Sequence, residues 1–248
     1  RGDSARHILE SVVFNDTEGR TRIAARTVLE DIRLDKLTQD FRLLNNSHDL
    51  DLERACFILA QIEYPNLDVP RYRNTIDQLA EEAAQRICRL EDDREKVDVI
   101  NHFIFDEKRF RGNVRSYYEP ENSYINKVLD RRVGIPISLS AIYLFIARRL
   151  ALPVYGVGFP GHFLLKYHRE SQVFFIDAFN GGQVLTQQDC RGFLRKMGYA
   201  FQPYYLNTSG SRDILARMIR NLVLIYIQKN QQNKIDTLEK IFSDFVMN

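Results

Sequence analysis

The residues best placed to do chemistry are His162 and Asp177. They flank a segment that reads as a β-hairpin: Gly158-Phe159-Pro160-Gly161-His162-Phe163-Leu164-Leu165-Lys166-Tyr167, then Val173-Phe174-Phe175-Ile176-Asp177. With the tip at His168-Arg169-Glu170-Ser171 and Tyr167 opposite Gln172, an antiparallel register pairs Leu165 with Phe174, Phe163 with Ile176 and His162 with Asp177. Directly opposed side chains share one face, about 5 Å apart at Cβ. A carboxylate there can hold an imidazole in one tautomer, which supplies two members of a nucleophile–His–Asp triad. Ser138 is the candidate third member, at the start of the preceding apolar helix.

The elements that must position these groups change character along the chain. Residues 4–46 read as helical, with a break at Gly19. Asn46-Ser47-His48-Asp49 offers caps for a helix with Leu52, Ala55, Cys56, Leu59 and Ile62 on one face. Further helices carry Tyr72, Ile76, Leu79, Ala83 and Ile87, then Val97, Ile100, Phe103 and Ile104. After a turn-rich connector come a helix near Tyr124 to Arg131 and a strongly apolar one from Pro136 to about Leu150. Proline suits a first helical turn, where its missing N–H costs nothing. Three strands are predicted, Val154 to Phe159, Phe163 to Tyr167 and Val173 to Phe179, with Asn180-Gly181-Gly182 as a turn. Thr186 caps a helix over 187–196, and two amphipathic helices, 212–228 and 234–246, end the chain.

Composition bounds the function. The 248 residues carry 35 basic and 33 acidic side chains, a net charge of +2, which supplies no steering toward nucleic acid or membranes. The longest apolar run, Ile135 to Ala147, is too short to span a bilayer. Cys56, Cys88 and Cys190 are scattered, fit a reducing, cytoplasmic setting, and show no metal spacing. Cys190 sits near a helix start, where a thiolate could be stabilised. No two histidines have zinc spacing and no phosphate-binding glycine loop is present, so neither a metal nor a cofactor is expected. His102 and His168 read as surface residues. Arg1-Gly2-Asp3 spells an adhesion tripeptide, read as coincidence in a chain of intracellular character.

Four separate blocks resemble the SirB-type transglutaminase-like family: Asn122-Ser123-Tyr124-Ile125-Asn126, Arg131-Arg132-Val133-Gly134-Ile135-Pro136-Ile137-Ser138-Leu139-Ser140, Gly158-Phe159-Pro160-Gly161-His162-Phe163, and Ile176-Asp177-Ala178-Phe179-Asn180-Gly181-Gly182. The resemblance covers about residues 50 to 245. It implies an α+β fold, with a buried helix packed on an antiparallel sheet. With the patterning along the chain, four parts are expected: a helical arm (1–46), a helical lead-in (47–118), a transglutaminase-like core (119–207) and a tetratricopeptide-like helix pair (208–248). The family's histidine and aspartate fall on His162 and Asp177, and its cysteine nucleophile falls on Pro136. The expectation is therefore a non-catalytic scaffold with a protein partner. The alternative is a cryptic hydrolase or acyl transferase on an amide or thioester, in which His162 acts as base, Asp177 orients it, and Ser138 or water attacks. Ser138 lies two residues beyond Pro136, about 200° around the helix, so it reads better as a first-turn cap.

Overall fold

The computed structural model describes residues 2–46, 49–170 and 172–246. Helices α1 (Gly2–Asn15) and α2 (Gly19–Asn45) come first, broken near Gly19 as expected. The caps proposed for the next helix include Ser47 and His48, which lie outside the described residues. Its cap is Asp51, whose side chain accepts from Arg54 N–H and starts α3 (Leu52–Glu63). Asp68 and Asp92 do the same for α4 (Val69–Ile87) and α5 (Asp93–Asn101). A π-helical segment, His102–Glu107, extends α5.

The connector is more ordered than its turn-rich sequence suggests. It holds strand β1 (Arg111–Gly112) and a 3₁₀ turn (Pro120–Asn122), followed by α6 (Ile125–Arg131). Strand β2 (Val133–Gly134) pairs parallel with β1 and leads into α7 (Pro136–Arg149). The strands β3 (Val154–Val157), β4 (Leu164–Arg169), β5 (Gln172–Asp177) and β6 (Gln183–Leu185) form one antiparallel sheet in chain order. The sequence reading had three of them; β6 is too short to show a period-2 pattern. Helix α8 (Gln187–Lys196) starts at Thr186, and Thr186 and Asp189 cap it reciprocally. Helices α9 (Ser211–Gln228) and α10 (Gln232–Val246) close the chain.

The fold is α+β. Helix α7 is buried from Pro136 to Ala147 except for half-buried Leu144, and it packs on β3 and β4. Strand alternation sorts the sheet into two faces. Leu165, Tyr167, Phe174 and Ile176 join α7 in the main core. Val157, Leu164 and Phe175 turn the other way, onto Cys190 and Leu194 of α8. Helix α9 packs on α3, and α10 on α2. Among the described residues no helix is long and apolar enough to cross a membrane.

The hairpin register differs from the expected one. Leu165 faces Ile176, Tyr167 faces Phe174 and Arg169 faces Gln172, so the tip narrows to Glu170 and Ser171. Ser171 lies outside the described residues. The offset is two residues. A slip of one would have turned every side chain to the other face, whereas a slip of two preserves the faces.

Candidate functional site

His162 does not sit opposite Asp177 in the ladder, because β4 begins only at Leu164. It closes a tight turn, in which its N–H donates to the Phe159 carbonyl at 3.1 Å. Gly161, with φ of +66°, makes the turn possible, since a side chain there would meet both backbone strain and the Met197 methyl. From the turn the imidazole folds back onto the end of β5. Nε2 lies 2.9 Å from each Asp177 carboxylate oxygen.

Asp177 is held on every side. Its oxygens also accept from the Phe179 N–H (3.1 Å), the Asn180 N–H (3.2 Å) and the Asn180 side-chain amide (2.8 Å). Burial pushes this carboxyl up, but the His162 and Asn180 hydrogen bonds and the His162 charge outweigh it. The group is held below the ordinary carboxylate range. Gly182 completes the turn, donating its N–H to the Asp177 carbonyl at 2.9 Å, with φ of +74°. Asn180 is the positioning residue that sequence reasoning passed over. The signal was available: an aspartate followed by Ala-Phe-Asn-Gly-Gly is Asx-turn chemistry.

An ionised Asp177 facing Nε2 favours the Nε2–H tautomer and leaves the lone pair on Nδ1. Nδ1 has no hydrogen-bond partner among the described residues, so it is the atom able to take a proton. Two aromatic rings pack against the imidazole: Phe179 is edge-on at 6.0 Å and Phe193 of α8 is tilted at 5.6 Å. Alternation puts Asp177 on the same side of the sheet as Phe175, toward α8. His162 is only 8% exposed.

The start of α7 is built differently. Pro136 takes the first helical position. Ser138 is fully buried. Its Oγ accepts from the Ile135 N–H at 3.0 Å and lies 2.5 Å from the Asn122 carbonyl, to which it donates. Asn122 is itself pinned, its amide donating to the Ser116 and Tyr117 carbonyls. The hydroxyl thus caps the helix and ties it to the 3₁₀ turn. No hydrogen bond joins Ser138 to His162 among the described residues. The structure brings His162 and Asp177 together and leaves Ser138 apart. Ser140, one turn beyond Pro136, is also fully buried, and its Oγ has no partner among the described residues.

The remaining thiols and histidines fall away. Cys190 is buried, and desolvation, with the nearby Asp189 and Asp177 charges, pushes its thiol up to about 12, the reverse of a stabilised thiolate. Cys56 is buried and shifted in the same direction by burial. His168 is exposed, and His102 is an exposed partner of Asp106 at 2.9 Å. No group of three metal-ligating side chains occurs among the described residues.

Comparison with known proteins places the chain in a family. The transglutaminase-like superfamily profile matches residues 70–220, more than half of the chain. A UPF0162 protein of Xylella fastidiosa (strain 9a5c) is 34% identical over 191 residues, 75% of this chain and 68% of the relative. A UPF0162 protein of Pasteurella multocida is 30% identical over 167 residues, 65% of this chain and 63% of the relative. F-box only protein 21 of Mus musculus is 35% identical over 145 residues, 55% of this chain but 23% of that much longer protein. No solved structure gives a significant match. The chain belongs to the transglutaminase-like superfamily and to the UPF0162 family.

Proposed function

We propose that this chain is a non-catalytic transglutaminase-like domain of the SirB type, used as a protein-interaction scaffold. The observation that carries the reading is the start of α7. A proline stands where the family resemblance puts the nucleophilic cysteine, and the nearest hydroxyl, Ser138, is spent on backbone groups. A His–Asp pair without an attacking atom orients nothing. Its remaining value is structural, as a charge-assisted tie between the turn before β4 and the end of β5.

A binding role draws support from two directions. The similar stretch of F-box only protein 21 occupies a small part of a long chain, as an interaction module would. Exposed apolar side chains also recur away from the dyad: Ile8, Phe14 and Ile23 on α1 and α2, and Leu224 with Ile227 one turn apart on α9. The α9–α10 pair is read as a single tetratricopeptide-like unit that leans on α2 and α3 rather than on a repeat neighbour. The four-part division at residues 46, 118 and 207 belongs to the same reading. Three free thiols favour a reducing, cytoplasmic setting.

A second reading, a hydrolase or acyl transferase using water, is favoured by one observation: an Nδ1 without a partner among the described residues on a His162 held by the buried Asp177 carboxylate. The test is turnover of p-nitrophenyl acetate and a fluorogenic peptide amide by the wild type against His162→Ala. The scaffold reading expects equal rates. A wild-type rate more than about tenfold above the variant, the scale of one lost general base, would favour the second.

A further inference from the structure

Helix α9 carries a guanidinium that has no counter-ion among the described residues. Arg217 is half-buried, and its Nη2 donates to the carbonyl oxygens of His162 at 2.7 Å and Phe159 at 3.1 Å. The head group lies 5.7 Å above the Phe163 ring. These contacts fix its position beside the His162 turn but use only one nitrogen. Nε and Nη1 have no hydrogen-bond partner among the described residues, and no carboxylate pairs with Arg217 there.

Two of the three other half-buried arginines hold carboxylates. Arg149 holds Glu53 and Asp77 and Arg33 holds Glu30, while Arg132 donates to the Lys108 carbonyl and stacks on Phe110 with no like charge one turn away. At Arg217 the neighbouring charge has the wrong sign. Arg220 lies one turn further along the same helix, is exposed, and has no ion pair among the described residues. Burial and the Arg220 charge both work against the Arg217 cation. The Tyr117 hydroxyl is half-buried, has no hydrogen bond among the described residues, and lies within electrostatic reach of Arg217. Tyr117 also packs edge-on against Phe179, the ring that walls His162. An unpaired, partly desolvated cation beside a like charge costs stability that an incoming anion recovers.

We propose that Arg217, with Arg220 and the Tyr117 hydroxyl, is a recognition site for a carboxylate of an acidic peptide segment docking at the edge of the His162 turn. Guanidinium donors suit carboxylates, and a hydroxyl adds a directional bond. Two arginines on one helical turn make a point contact rather than the basic track that nucleic acid needs. The site uses the His162 carbonyl and not its ring, so it stands whether or not the His162–Asp177 pair does chemistry.

The test is an NMR titration of the full ¹⁵N-labelled chain with acetyl-pentaglutamate amide, acetyl-pentaglutamine amide and inorganic phosphate. Pentaglutamate is expected to shift the Arg217 Nε and His162 amide signals saturably, and pentaglutamine to leave them unmoved. Affinity should fall about tenfold in Arg217→Met and about threefold in Arg220→Met, on the scale of one charge-assisted hydrogen bond and one neighbouring charge. Arg220 touches neither turn carbonyl, so its variant keeps the test valid if Arg217→Met loosens the fold. Absence of saturation by about 5 mM, weaker than any useful contact, would overturn the proposal. So would equal affinity in wild type and Arg220→Met, or tighter binding of phosphate than of pentaglutamate.

Discussion

The start of α7 and the end of β5 are both dense polar clusters buried in an apolar surround, yet they are satisfied in opposite ways. At α7 a neutral hydroxyl, Ser138, closes a set of main-chain bonds, and the first position is a proline with no donor to satisfy. At β5 an ionised carboxylate is held by an imidazole, two backbone N–H groups and the Asn180 amide. The first cluster has no group that titrates near neutral pH and no nucleophile. The second keeps an ionisable pair with one nitrogen left over. On the proposed reading, a transglutaminase-like domain with a proline at the thiol's place keeps the charged half of the site and makes a stable helix start of the other half.

The largest effect expected from breaking this contrast is at Asp177. Asp177→Ala strands the imidazole, two N–H groups and an amide inside the protein, and should cost about 3 kcal/mol of unfolding free energy, measured by urea denaturation. Ser138→Ala removes a cap and leaves the Ile135 N–H only its longer bond to the Asn122 carbonyl (3.3 Å), for a loss of about 1 kcal/mol in the same assay. Near-equal losses would erase the distinction between the charged and neutral clusters.

Acid should remove the stabilisation of the β5 cluster. Asp177 and Asp93 both titrate below the ordinary range in the folded protein. Burial opposes this in each case. His162 and Asn180 overcome it at Asp177, and Tyr167, Lys96 and Arg169 do so at Asp93. The unfolded chain therefore binds more protons, and the stabilisation is complete above the unfolded value of about 4. It is lost as pH falls through the lower folded values. The urea midpoint should drop between pH 5 and pH 3, and Asp177→Asn should flatten that slope. At the small end, Ser140→Ala deletes a buried hydroxyl that has no partner among the described residues. It should be neutral or stabilising by up to about 1 kcal/mol, in contrast with its neighbour Ser138.

Much of this was legible in the sequence, for identifiable reasons. The caps at Thr186 and Pro136, the apolar stripe of α7 and the alternation of β4 and β5 are local signals, and the elements follow them. His162 meets Asp177 despite the wrong register because the turn at Gly161 folds the imidazole back onto the end of β5. What stayed hidden is non-local. The two-residue strands β1 and β2 exist only as each other's partners. The π-helical segment depends on packing rather than propensity. Arg217 reaches the His162 carbonyl across 55 residues of chain, which no spacing rule anticipates.

The central claim, that Pro136 occupies the nucleophile's place in a domain that keeps its His162–Asp177 pair, is tested most directly by putting a thiol there. We would measure the pH dependence of iodoacetamide alkylation in Pro136→Cys and in Pro136→Cys combined with His162→Ala, against the wild-type background of the native cysteines. The account predicts that Cys at 136 reacts well below the ordinary thiol pKa of about 8.5, and that removing His162 returns the profile to that value. A thiol at 136 that titrates near 8.5 with or without His162 would contradict it.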